Sequence, residues 1–330
     1  MNFEYSKYIL KPLAIVGAMT SLKNREGAII KVTWPNGKFG YADLMPKPET
    51  GDPTLGEELA NLKNFQLSPL VEQTIALAKR DAKLRDEKKN AFKGAKRVKN
   101  NYFLVENLSN VTSVLLEQIK SQNYSSIKID CGKDFEKECD IIRRILKLSN
   151  FLLRLDFNAK ADFSTFERFV TNIEIGLRPR IEFILDPMPY DFEAWKDATK
   201  LAAVGIDSQY NHVSWGDPKT VPQMKYLAIR PSRIDVDAAI ERAQQYNFKI
   251  LVTSSLEHPI SIAHASLIAS DIVTANTANT WDHDCLYHGF YAPNEFSGSI
   301  RSQGPYLLET DGAGIGFENH LPKMTWTALR

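Results

Sequence analysis

From about residue 100 onward the chain keeps one rhythm, a short apolar strand followed by an amphipathic helix. "SSIKID" precedes "KDFEKECDIIRRILKLS", "FLLRLDFN" precedes "DFSTFERFVTNI", and "IEFILDP" precedes "DFEAWKDATKLA". "YLAIRPS" then precedes "DVDAAIERAQQYN", and "KILVTSS" precedes "ISIAHASLIAS". A helix between consecutive strands lets them run parallel, and seven or eight such units in a row favour a closed barrel over an open sheet. The expected fold is therefore α/β, a modified (β/α)8 barrel over residues 99–301. In such a barrel the C-terminal strand ends and their loops converge on one mouth, where chemistry is done.

The first 98 residues follow different rules. "GAIIKVTW" alternates, "PNGKFG" carries an Asn-Gly turn and "YADLMP" follows it, which is the pattern of a β-hairpin. Pro46, Pro48, Gly51 and Pro53 mark a loop before two helical stretches, "TLGEELANLKNF" and "SPLVEQTIALAKRDAKLRDEKKNAF". Residues 1–98 thus read as a separate α+β unit. Near the other end, "GAGIGFE" has the glycines of a nucleotide loop but no strand before and helix after it, so a returning strand with a tight turn is expected.

Composition excludes several classes of function. A net charge of +1 gives no footprint for nucleic acid, and the basic run from Lys79 to Lys99 reads as a solvated helix face. No stretch of 18 apolar residues is present and the N-terminus lacks a signal-like apolar segment, so neither a membrane span nor export is expected. The three cysteines, Cys131, Cys139 and Cys285, lack metal-binding spacing and read as reduced, in keeping with a cytoplasmic protein. His258 and His264 fall in a helical stretch and His283 and His288 in a loop, without zinc-like spacing, and receive no role.

Polar residues at the strand ends are the candidates for chemistry: Lys128, Asp156 and Asn158, Asp186, Asp207, Arg230, and Ser254 with Ser255. Each is costly to bury unless paired. Carboxylates aimed into one mouth from successive strands repel one another unless a divalent cation lies between them, and oxygen donors of this type suit Mg²⁺.

This order of pieces, a lysine strand, "RLDFN", a strand ending in Asp-Pro, an aspartate strand, "IRP", "TSSLE" and "GAGIGFE", resembles the enolase superfamily. Within its muconate-lactonizing-enzyme-like subgroup the chain is similar to the o-succinylbenzoate synthases. The resemblance covers nearly the whole chain and implies a capping domain at 1–98, completed by about 302–330, over the barrel. It implies that Lys128 is the general base, that Asp156 and Asp207 bind the metal, that Arg154 and Asn158 contact substrate or order the site, and that Ser254 and Ser255 hold the succinyl end. The metal implied is Mg²⁺, with Mn²⁺ as a substitute, and the substrate is a small carboxylate. No obligate protein partner is implied.

Two departures from the family pattern bear on the chemistry. Leu185 stands where a glutamate ligand is usual, leaving Asp186 as the nearest substitute, although alternation would turn it to the opposite face unless the strand bulges or breaks at Pro187. Glu182 also has the wrong parity and lies further down the strand. Arg230 stands where a second lysine is usual, and Ser126 replaces the first lysine of the usual Lys-x-Lys pair. An arginine stays protonated and cannot abstract a proton. One base suffices for a syn β-elimination, so the expected activity is Mg²⁺-dependent dehydration to o-succinylbenzoate in menaquinone synthesis, with Arg230 in electrostatic support. Racemisation of N-acylamino acids, and a degenerate barrel that serves as a binding or scaffold protein, are the alternatives.

Overall fold

The computed structural model describes residues 1–17, 22–105, 107–217, 219, 221–275, 279–287 and 289–329; His288 lies outside them. Strands β1 (Asn2–Leu10), β2 (Arg25–Thr33) and β3 (Phe39–Leu44) form an antiparallel sheet that helices α1 (Leu55–Lys63) and α2 (Pro69–Asp86) cover. The expected hairpin joins β2 to β3: Gly37 takes φ 80°, and the turn closes through Trp34 N–H to the Lys38 carbonyl at 2.8 Å. Helix α1 starts in a capping box, in which the Thr54 side chain and Glu57 satisfy each other's backbone N–H groups. Helix α2 starts at Ser68 with Pro69 in its first turn. It stops at Asp86, short of the expected end near residue 92, and Lys88 turns left-handed with φ 53°.

The barrel strands are β4 (Tyr102–Phe103), β5 (Ser126–Asp130), β6 (Leu152–Asp156), β7 (Ile181–Leu185), β8 (Val204–Ile206), β9 (Tyr226–Ile229), β10 (Lys249–Val252) and β11 (Asn279–Thr280). They pair in sequence order as one eight-stranded parallel sheet. His283, just past β11, closes the ring: its N–H donates to the Lys99 carbonyl at 2.7 Å, and its carbonyl accepts from Asn101 N–H at 2.9 Å. Between the strands run α3 (Ser113–Ser121), α4 (Phe135–Leu148), α5 (Phe163–Asn172), α6 (Phe192–Leu201), α7 (Val236–Gln245) and α8 (Pro259–Thr274). A short 3₁₀ turn at Tyr210–His212 replaces the helix after β8, which is one way this barrel is modified.

Alternation sorts the strand residues. Outward apolar residues such as Ile127, Leu153, Leu155, Ile184 and Leu227 join the core beneath the helices. Inward residues Phe183, Leu185, Tyr226, Ala228 and Leu251 fill the barrel's centre. Leu185 fits because its neighbour on β8 is Gly205, where an added Cβ would lie 2.7 Å from a Leu185 methyl.

The C-terminal segment returns to the first unit. After β12 (Ser302–Gln303) and β13 (Tyr306–Leu307), strand β14 (Thr327–Leu329) pairs antiparallel with β1. The glycine-rich turn is held by Asp81 of α2, whose carboxylate accepts from Ile315 N–H at 2.8 Å and Tyr41 N–H at 2.9 Å. Gly314, with φ 64°, passes so close that a Cβ would fall 2.0 Å from that carboxylate. These glycines therefore make room for a chain return. The cap docks on α8 through buried Asp43 of β3, which accepts from the Ser261 hydroxyl at 2.9 Å and His258 N–H at 3.3 Å.

Candidate active site

A cavity of about 780 Å³ lies between cap and barrel mouth, with Lys128, Asp130, Asp156, Asp207 and Arg230 on its barrel wall and Arg25, Lys47 and Asp52 on the cap side. On β5, alternation turns Ser126, Lys128 and Asp130 inward. The Lys128 ammonium sits 2.9 Å from Asp284, 3.3 Å from Asp156 and 3.8 Å from Asp130. Burial pulls its pKa down, but Asp284, Asp130, Tyr287 and Asp156 outweigh burial and hold it well above the ordinary lysine value. Burial raises Asp156, with Lys128 opposing and Asp207 adding to the rise. Asp130 is pushed up to about 7 by burial, against the attraction of Lys128, and Asp156 adds to the rise.

Across the mouth, Arg230 after β9 grips Asp207 after β8 through Nε and a terminal nitrogen. Burial disfavours its charge, yet Asp207, Asp156 and Asp186 together keep it firmly protonated. Arg230 is therefore an ion-pair partner in the wall of the cavity, with no capacity to act as a base.

Several expected site residues are turned elsewhere. Asp186 escapes the parity problem by taking φ 41° directly after β7 ends, but its carboxylate swings to β8: it accepts from Asp207 N–H at 2.9 Å and from the Ser208 N–H and hydroxyl at 2.6 Å. It lies behind Asp207, outside the cavity lining. Burial, then Asp207 and Asp156, push it up to about 7. Arg154, expected to contact substrate or order the site, is buried below the mouth, where it donates to the Asp282 carbonyl at 2.6 Å, to Asn101 at 3.2 Å and to Glu182. A register shift between β6 and β7 beside Arg154 lets Glu182 face inward despite its parity, and the two charges neutralise each other inside the barrel.

Asn158, at φ 51°, lines the cavity, but its amide donates to the backbone carbonyls of Cys131 at 3.1 Å and Asp156 at 3.3 Å. Its own N–H donates to the Asp156 carboxylate at 3.0 Å, so it orients that side chain. The two serines separate. Ser254 donates to the Cys285 carbonyl at 3.0 Å, in the segment after β11, whereas Ser255 lines the cavity.

The sequence reading missed Asp284, Asp130 and Tyr287. Asp284 is wholly buried and accepts from Asn101 at 2.8 Å and the Tyr287 hydroxyl at 3.1 Å as well as pairing with Lys128. It lies four residues past β11, where a lone bridge pairs it with Thr253 and polar residues surround it in sequence, so no apolar run announces it. Asp130 had a visible signal, since it shares the parity of Lys128 two positions earlier. The histidines given no role are structural where described: His258 caps α8 and His283 accepts from Val252 N–H at 2.9 Å.

The donor chemistry fits a hard divalent cation. Asp130, Asp156, Asp186, Asp207 and Asp284 converge on Lys128 and Arg230, so buried carboxylates outnumber their cationic partners; Asp130, Asp156 and Asp186 are raised first by burial and further by neighbouring aspartates. All donors are oxygens, as Mg²⁺ prefers. Among the described residues no three His, Cys, Asp or Glu side chains already stand at metal-binding spacing. Asp156 and Asp207 are the carboxylates of the expected ligand set that line the cavity.

Comparison with known proteins agrees with this architecture. A family profile described as O-succinylbenzoate synthase, N-terminal domain, matches residues 3–84. The chain is 39% identical to an o-succinylbenzoate synthase of Bdellovibrio bacteriovorus, over 100% of this chain and 99% of that protein. The chain belongs to the o-succinylbenzoate synthase family. Solved structures with the same fold include a dipeptide epimerase of Cytophaga hutchinsonii complexed with Mg and D-Ala-L-Val, with TM-score 0.77 and 16% identity over 100% of this chain and 99% of that one. A mandelate racemase/muconate lactonizing protein of Herpetosiphon aurantiacus superposes with TM-score 0.77 and 15% identity over 95% and 96% of the two chains. This chain thus shares its fold with both of those proteins, and these distant likenesses speak to fold alone.

Proposed function

We propose that this chain is a lyase that dehydrates a succinyl-hydroxy-cyclohexadiene carboxylate to o-succinylbenzoate, the step expected of its family in menaquinone synthesis. The observation that carries the reading is the buried lysine on the barrel wall of the cavity, Lys128, facing Asp156 with the protonated Arg230–Asp207 pair opposite. Asp156 and Asp207 would hold a divalent cation, Mg²⁺ or Mn²⁺, with Asp186 adding negative charge from behind and water completing the sphere. When bound, that ion supplies positive charge against the substrate carboxylate and weakens the hold of the mouth carboxylates on the Lys128 proton.

Lys128 then removes the proton α to the carboxylate and, as an ammonium on the same face, returns it to the departing hydroxyl. Asp284 steadies the ammonium between these two transfers. Arg230 keeps its proton throughout and stabilises negative charge in the cavity. This division of labour favours elimination over racemisation, which would need a second acceptor where Arg230 stands. Residues 1–98 with 302–330 are the cap that shields the reaction from water, and 99–301 the catalytic barrel. Among the described residues no helix is long and apolar enough to cross a membrane, and the three cysteines are buried and unpaired, which supports a cytoplasmic enzyme with a small-molecule substrate.

Lys128→Ala tests the proposal. The variant should fold, bind product and fail to aromatise the precursor; conversion at the wild-type rate would refute the mechanism.

A further inference from the structure

In the proposed reaction Lys128 hands a proton to a hydroxyl, and that hydroxyl's own hydrogen is left without an acceptor. A polar hydrogen closed into a water-poor cavity needs one. Asp130, the last residue of β5, stands two positions beyond Lys128 on the same face of the strand and lines the cavity. Its Oδ1 is buried and has no hydrogen-bond partner among the described residues, and the Lys128 ammonium, at 3.8 Å, is beyond hydrogen-bond reach. The cap leaves little room for water there, since an added Cβ on Gly17 would lie 2.8 Å from the Asp130 Cβ.

The other carboxylates on the cavity wall are engaged. Asp156 accepts from Asn158 N–H, Arg230 grips Asp207, and on the cap side Arg25, Arg233 and Ser68 hold Glu49, Asp52 and Glu58. The cap's Lys47 does not serve Asp130 either, because its ammonium donates to the Ser255 carbonyl at 2.7 Å. Asp284 is nearer to Lys128 but is wholly buried and does not line the cavity.

We infer that Asp130 is a catalytic residue that accepts a hydrogen bond from the departing hydroxyl of the substrate and so holds the C–O bond on the face where Lys128 works. The inference rests on the proposed dehydration. The 3.8 Å between Nζ and Oδ1 is a gap that one oxygen atom, about 2.8 Å from each, bridges. In the elimination the α C–H bond breaks toward Lys128 and its electron pair forms the new ring double bond. The C–O pair departs with the oxygen as Lys128 returns the proton, and the leaving group is water. Asp130 keeps no proton. Its hydrogen bond strengthens as the hydroxyl becomes water and the O–H grows more acidic, so it is worth more in the transition state than in the ground state.

Asp130→Asn and Asp130→Ala, run in D₂O beside the wild type, test the contact through two readouts: aromatic product formed, and deuterium at the α-carbon of recovered precursor. Loss of a charged hydrogen bond should slow elimination about 10- to 100-fold. Exchange at the α-carbon should stay within about threefold, because Lys128 and Asp156 are intact, so exchange outruns elimination in both variants. The product o-succinylbenzoate lacks the hydroxyl, and its undiminished binding shows that each variant is folded. Elimination within about twofold of wild type overturns the contact. So does a parallel fall of exchange and elimination, the result expected if Asp130 binds the metal or only supports the wall. A wild type that neither eliminates nor exchanges refutes the proposed reaction instead. Binding then decides the contact: loss of Asp130 should weaken the precursor by about threefold or more and leave the product unchanged, and equal effects on both overturn it.

Discussion

Replacing Asp284 with asparagine isolates the electrostatic support of the base. Asp284 Oδ2 lies 2.9 Å from the Lys128 ammonium, nearer than any other carboxylate, while Oδ1 accepts from Asn101 at 2.8 Å. Asparagine preserves shape and the bond from Asn101, but sets an N–H₂ group against the ammonium. Lys128 gains charge as it takes the proton, so the carboxylate opposite it is more useful in the transition state than in the ground state. Loss of a charged hydrogen bond is worth about 1.5–3 kcal/mol, which at 1.36 kcal/mol per decade lowers kcat by about 10- to 100-fold. KM should hold, because Asp284 is wholly buried and does not line the cavity. The assay follows the loss of cyclohexadiene absorbance as the ring becomes aromatic, with a thermal melt to confirm folding. A folded variant with kcat within twofold of wild type would refute the reasoning.

Other perturbations probe the frame around the site. Gly205→Ala forces a Cβ against Leu185 and should cost about 1–3 kcal/mol by denaturant unfolding; paired with Leu185→Ala, which opens that space, it should cost less than the two changes added separately. Asp81→Ala strands the Tyr41 and Ile315 N–H groups and the Arg85 side chain, and should lower stability by about 3–5 kcal/mol. Asp43 is pushed up to about 7 by burial and by Glu257, against bonds from Tyr8, Ser261 and His258. Its folded pKa therefore exceeds its unfolded one, protonation favours the fold, and stability should fall by at most about 4 kcal/mol as pH rises from about 4 to 7. Unfolding curves for wild type and Asp43→Asn measured at both ends of that window check the sign, since the variant should lack this slope.

Strand–helix alternation, the Asn-Gly hairpin and the helix caps are local properties, so the barrel, the separate α+β unit and the strand-end placing of Lys128, Asp156 and Asp207 were legible in the residues alone. Parity along a strand even predicted that Asp186 needed a backbone break, and the left-handed turn there supplies one. What parity could not predict is where the freed carboxylate goes: the N–H groups of Asp207 and Ser208 on the next strand claim it. Arg154 and Glu182 meet through a register shift, which depends on how two strands pair and not on either alone. Asp284 and Lys47 belong to segments 156 and 81 residues from Lys128, and their side chains acquire meaning when barrel closure and cap docking bring them to the mouth. Local sequence sets backbone preference and which face a side chain takes, whereas charge compensation acts through space and is decided by the assembled fold.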